Sequence, residues 1–158
     1  MQYANSLGKN TINNFTTRAM KGFTLLELMI VIVVVGILMS IALPSYTEHI
    51  RKGRRSDAMS ALLDVANRQE QLMFDRNSYT LDMTDLGFAA DPMVSKEGFY
   101  TIDTVAGSTG SITTSYRLTA TPVASEPQSN DTRCALFRLA SNGTKTATGT
   151  HSTSCWSR

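Results

Sequence analysis

Between Phe23 and Leu43 the chain runs for 21 residues with a single charge, Glu27, and this run limits every fold open to it. As an α-helix rising about 1.5 Å per residue it is roughly 31 Å long, close to the thickness of bilayer hydrocarbon. The β-branched stretch Val31, Ile32, Val33, Val34 and Val35 forms helix poorly in water. Lipid removes that competition, because backbone groups there must be satisfied within the segment. A carboxylate in hydrocarbon costs about 3 kcal/mol on insertion scales, so Glu27, the fifth residue of the run, needs an explanation. Either it sits at the headgroup level near the helix end, or it meets a cationic partner inside the membrane or inside an assembly.

Residues 44–158 have a different character, rich in Ser and Thr with scattered apolar positions, the mix of a small soluble α+β domain. The chain therefore reads as a tethered domain. Residues 1–22 carry Lys9, Arg18 and Lys21 and no acid, the basic front of a targeting segment. A secretory signal would end in a small-residue cleavage site after the apolar run, but here the run leads into Pro44. The small Gly22 beside Lys21 is the alternative cleavage point, and cutting there keeps the apolar helix in the mature chain.

The stretch KGFTLLELMIVIVVVGILMSIALPSY, residues 21–46, resembles the N-terminal signature of type IV pilins and of the related pseudopilins of type II secretion. The resemblance implies that a prepilin peptidase removes residues 1–22 by cutting after Gly22 and methylates the new N-terminus at Phe23. It makes Glu27 the family's acidic assembly residue, pairing with the amine of a neighbouring chain when helices stack with an axial offset. Gly36 and Pro44 fall where such helices carry their glycine and their bending proline. A leader of 22 residues is long for the family, and Met20 offers a second start. Residues 23–43 are then a transmembrane helix that becomes the filament core, and residues 44–158 a globular domain. The implied fold is α+β, a long N-terminal helix packed on a C-terminal antiparallel sheet.

Orientation carries a tension. Arg51, Lys52, Arg54 and Arg55 follow the apolar run and outnumber Arg18 and Lys21 before it, so a positive-inside count places the domain in the cytoplasm. The only cysteines, Cys134 and Cys155, form an even pair suited to a disulfide in an oxidising compartment. The pilin resemblance likewise implies an inner-membrane chain with a periplasmic domain, displayed outside the cell after assembly. The basic cluster is then a solvated or inter-subunit feature. Loss of Lys9, Arg18 and Lys21 with the leader takes the formal side-chain charge from +2 to −1, so overall charge argues nothing for nucleic acid.

After Pro44, Ala58, Ala61, Leu62, Val65, Leu72 and Met73 recur at three- and four-residue steps, extending the helix to about Arg76 with a soft point at Gly53. Pro44 is expected to kink this helix or end a segment of it. A loop with a short turn follows at residues 77–88. Strands are expected at 98–105, 111–123, 133–140 and 144–147, with Asn142-Gly143 as a hairpin turn and loops at 107–110 and 125–131.

A bond between Cys134 and Cys155 would enclose 20 residues, worth about 3 kcal/mol by chain entropy. A metal reading through Cys134, His151 and Cys155 lacks a fourth ligand. The C-terminal cysteine pair with Trp156 resembles PilE- and ComP-type pilins, a group with minor pilins and DNA receptors in it, which favours a pilus component over a pseudopilin. Implied partners are other pilin subunits through the helix, the prepilin peptidase and the inner membrane; no cofactor is implied. The filament's role is adhesion, twitching motility or DNA uptake. A DNA-binding patch could be drawn from Arg133, Arg138, Lys145, Arg158 and Trp156, with His151 and Phe137 nearby. The preferred reading is that the same residues cover strand faces and solubilise a tail. His49 and His151 stand in no nucleophile or metal motif, and Asp82, Asp85 and Asp91 read as solvated loop acids. No catalysis is expected.

Overall fold

The computed structural model describes residues 22–157. Helix α1 spans Leu25–Arg76, and a five-stranded antiparallel meander follows: β1, Met93–Val94; β2, Tyr100–Ala106; β3, Tyr116–Pro122; β4, Leu136–Ala140; β5, Lys145–Thr148. The chain divides into two units, the first ending at Ser40 and the second beginning at Ile41. Residues 1–21 and Arg158, with the leader bases and one proposed DNA contact, lie outside the described residues.

In the first unit every described residue is exposed. The apolar side chains from Leu25 to Met39 are exposed, with no burying partner among the described residues. No atom among the described residues comes within 4 Å of a side chain added at Gly36.

In the second unit the α1 face predicted from the three- and four-residue steps is the buried one. Ala58, Ala61, Leu62 and Val65 meet Tyr100 and Ile102 of β2, Tyr116, Leu118 and Ala120 of β3, and Phe137 and Leu139 of β4. Alternation along the strands supplies these side chains, since every second residue faces the helix. Full burial of each large apolar side chain is worth about 1.5–3 kcal/mol. Leu72 packs at the margin of this core.

Several expectations need correcting. Pro44 ends nothing, because α1 includes it. Residues 111–115 form a turn and not the start of β3, and β4 begins at Leu136 because Asp131 to Cys134 are committed to other contacts. β1, only two residues long, carries too little pattern to be seen in sequence. Short 3-10 helices occupy Met83–Leu86, Pro127–Asn130 and Ser152–Ser154. The Asn142-Gly143 turn is present, with Gly143 at φ 81°.

Candidate functional site

At the start of α1 the Glu27 amide donates to Thr24 Oγ1 at 3.1 Å. Thr24 is thus the N-cap and Glu27 stands at the third helical position, the Thr-x-x-Glu spacing of a capping box. An acid there also complements the positive end of the helix. This local role was legible in the sequence beside the assembly role and was missed. Gly22 and Phe23 precede the cap as exposed, non-helical residues.

The basic cluster after the apolar run is divided by the fold. Arg55 is buried, contrary to the solvated reading: Nε and Nη2 donate to the two oxygens of Asp131 at 2.6 and 2.9 Å, and Nη1 lies 3.0 Å from Glu48. Asp131 also accepts from Gln128 Nε2 at 2.9 Å and from the Arg133 and Cys134 amides. Gln128 in turn donates to the Tyr100 hydroxyl at 3.0 Å. Burial pushes the Asp131 carboxyl up, but the Arg55 and amide hydrogen bonds outweigh it and hold it below its ordinary range. Arg54 lies over the Phe99 ring, 4.6 Å from its centroid. Arg51 and Lys52 are left without an ion pair among the described residues.

Cys134 and Cys155 are disulfide-bonded. The bond fixes the C-terminal turn against β4 and β5, where Gly149 adopts φ 125° and a side chain would meet the Arg133 carbonyl. Trp156 packs edge-on against Phe137 with ring centroids 5.7 Å apart, and its indole N–H donates to the Thr146 carbonyl at 2.8 Å. The Lys145 ammonium lies over that indole, 5.4 Å from the ring centroid.

The described residues of the expected DNA set therefore do not form one patch. Phe137 is fully buried and offers no stacking surface. Arg133 pairs with Glu48 at 3.3 Å and lies alongside the His151 ring, nitrogen to nitrogen at 3.3 and 3.5 Å. Arg138 is on the opposite sheet face from Phe137, in a row with Asp103, Thr119 and Thr146 across β2 to β5. There it shares a groove of about 360 Å³ with Arg117, an exposed β3 residue that the sequence reading passed over. Among the described residues neither of these arginines meets a carboxylate at ion-pair distance.

The loop acids are structural. Asp82 caps the 3-10 helix at Met83–Leu86 by accepting from the Thr84 amide and hydroxyl, which hold its carboxyl below the ordinary range. Asp85 accepts from Thr80. Among the described residues no group of three or more His, Cys, Asp or Glu side chains could hold a metal ion. The Cys134, His151 and Cys155 metal reading is overturned by the disulfide, which consumes both thiolates.

A family model described as "Type IV minor pilin ComP, DNA uptake sequence receptor" matches residues 44–138, and one described as "Prokaryotic N-terminal methylation motif" matches residues 17–43. The type IV major pilin protein PilA of Myxococcus xanthus is 32% identical over 45% of this chain and 32% of its own length. The fimbrial protein EcpC of Eikenella corrodens is 37% identical over 44% of this chain and 46% of its own. Fimbrial protein Q of Moraxella bovis is 52% identical over 36% of each. The chain thus spans a third to under a half of the length of these relatives. A solved type IV pilin from Shewanella oneidensis is 22% identical, covers 68% of this chain and 99% of its own, and superposes with a TM-score of 0.44.

Proposed function

The chain belongs to the type IV pilin family, in the group of the minor pilin ComP, and on that premise we propose that it is a minor pilin whose globular domain captures DNA for a pilus. The family is one of structural subunits and not of enzymes. The observation that carries the reading is the extent of the ComP match: it runs over residues 44–138, from the domain part of α1 through strands β1 to β3 and into the first three residues of β4. The match to the N-terminal methylation motif, residues 17–43, lies outside that range.

In this reading the prepilin peptidase removes residues 1–22 at the cytoplasmic face and methylates Phe23. Residues 23–43 hold the subunit in the inner membrane, with the domain in the periplasm where the disulfide forms, until the helix moves into the filament core. The methylation-motif match supports this processing. Glu27 then finds its partner in the Phe23 amine of the adjacent subunit, which answers the cost of a carboxylate in hydrocarbon.

DNA meets the outer face of the sheet, where Arg117 and Arg138 have no carboxylate partner among the described residues and the flanking Thr119, Thr144 and Thr146 can donate to phosphate oxygens. Lys145 and Trp156 lie at the sheet margin, with the indole already engaged. Fluorescence anisotropy of the full-length chain in detergent with labelled duplexes tests the reading. Binding that rises as salt falls and discriminates between duplex sequences is expected. No binding at low salt would leave only the structural subunit.

A further inference from the structure

Arginines on phosphates place a duplex without reading it, so the sequence discrimination expected above needs a side chain that reaches a base edge. Stacking is not the route: Phe137 is fully buried, and Trp156 is held by Phe137 and by the Thr146 carbonyl. Hydrogen-bond readout remains, and the groove of Arg117 and Arg138 has a side chain free for it. That groove is lined by Gly107 and Ser108 of the β2–β3 connection and by Asn142 and Thr144 of the β4–β5 turn. Both connections leave the same end of the sheet, because Ala106 pairs with Tyr116 and Arg117 with Ala140. The turn stands clear of the domain: residues 142–146 are exposed, and a side chain added at Gly143 would meet no atom within 4 Å. It is nevertheless fixed. The Ala140 amide donates to the Thr144 carbonyl at 3.0 Å, and the Ser141 amide ties the turn to the Tyr116 carbonyl of β3 at 3.0 Å.

Asn142 Oδ1 accepts from the Thr144 amide at 3.0 Å, which orients the side-chain amide and identifies its oxygen. Turn chemistry accounts for Gly143 and for that oxygen. It does not account for Nδ2, which has no hydrogen-bond partner among the described residues. Asn142 therefore offers two donor hydrogens beside the second lone pair of Oδ1. Adenine carries the complement in the major groove, an N7 acceptor next to the N6 donor. A ribbon of two strands about 5 Å apart fits that groove, about 12 Å wide, whereas the minor groove of about 6 Å is too narrow. We propose that Asn142 is a specificity-determining residue that reads an adenine in the major groove while one sugar–phosphate strand lies in the protein groove against Arg117 and Arg138. Each DNA backbone borders the major groove, so a backbone seated there brings the adjoining turn to the base edges. The proposal rests on the DNA reading above and adds the base that is read.

Selection from a pool of random-sequence duplexes on the full-length chain in detergent, read by sequencing, tests it. The wild type should enrich a motif that contains a fixed A·T pair. In Asn142→Gly the preference at that pair should fall about fivefold or more, with the rest of the motif and the slope of log affinity against log salt unchanged. Asn142→Asp keeps an oxygen for the Thr144 amide but loses the donor, and its carboxylate only accepts. Its preference should move from adenine towards cytosine, whose N4 amine donates. An unchanged motif in Asn142→Gly, or a uniform loss across all duplexes, would overturn the proposal by confining Asn142 to the turn. Retention of the adenine preference in Asn142→Asp would do the same. Salt-dependent binding by the wild type without any enriched motif would overturn this assignment and leave the DNA reading. No duplex bound at low salt would remove the DNA reading and the assignment together.

Discussion

Asp131, in the connection between β3 and β4, receives both donors of the Arg55 guanidinium fork at 2.6 and 2.9 Å, and so fastens the sheet to α1 across 76 residues of sequence. Both side chains are buried, Asp131 at 1% exposure and Arg55 at 6%. Such a pair adds little over apolar packing, but removing one partner strands a buried charge.

Asp131→Asn is therefore expected to destabilise the domain by about 3–5 kcal/mol in chemical unfolding near pH 7. The pH dependence follows from the lowered carboxyl of Asp131. A group whose folded value is depressed contributes fully above its unfolded value, near 4 for Asp, and loses that contribution as pH falls through the lower folded value. The gap between wild type and Asp131→Asn should stay constant from pH 7 to about 5 and narrow below about 4. A gap that widened on acidification would contradict the assignment.

Gly149→Ala and Gly143→Ala separate strain from collision. Both glycines have positive φ, at 125° and 81°, but only at Gly149 does an added side chain meet the Arg133 backbone. Gly143→Ala should cost about 1 kcal/mol and Gly149→Ala clearly more, about 3 kcal/mol. Thermal unfolding under oxidising conditions reads the difference.

Thr24→Ala and Glu27→Gln divide the two roles of the first helical turn. Loss of the Thr24 cap costs about 1 kcal/mol of helix stability and should leave filament entry intact. Glu27→Gln keeps the helix but removes the charge proposed to pair with a neighbour's amine. It should be cleaved normally and be depleted from sheared filaments, measured by immunoblot of membrane and filament fractions. Equal depletion of both variants would assign Glu27 to capping alone.

Arg117→Gln with Arg138→Gln should weaken DNA binding uniformly across sequences and reduce the slope of log affinity against log salt by about 2. The single tryptophan gives an internal control, because Trp156 is already held by Phe137, Lys145 and the Thr146 carbonyl. Its emission should stay constant as duplex is added. A large quench would move the contact to the disulfide end of the sheet.

Much of this architecture could be read from residue order. The apolar run, the stripe from Ala58 to Val65, the Asn142-Gly143 turn and the cysteine pair are each local patterns, and each sits where periodicity or spacing put it. The misses are non-local. Arg55 looks solvated within RKGRR because its partner Asp131 is remote, and only folding brings in Glu48 as well. Gln69 looks polar and surface-facing, yet it is buried with its amide closing on the Thr80 backbone at 2.7 and 3.1 Å. Arg117 was passed over as one of many strand residues, and strand pairing alone sets it near Arg138.

Quantitative mass spectrometry of sheared surface filaments, with sequencing of the N-terminal peptide, tests the central claim most directly. The account predicts a peptide that begins at N-methylated Phe23, present at low stoichiometry beside a far more abundant pilin. Absence of the chain from filaments, or recovery as the uncut form starting upstream of Gly22, would contradict it, and recovery as the dominant subunit would replace the minor pilin with the major one.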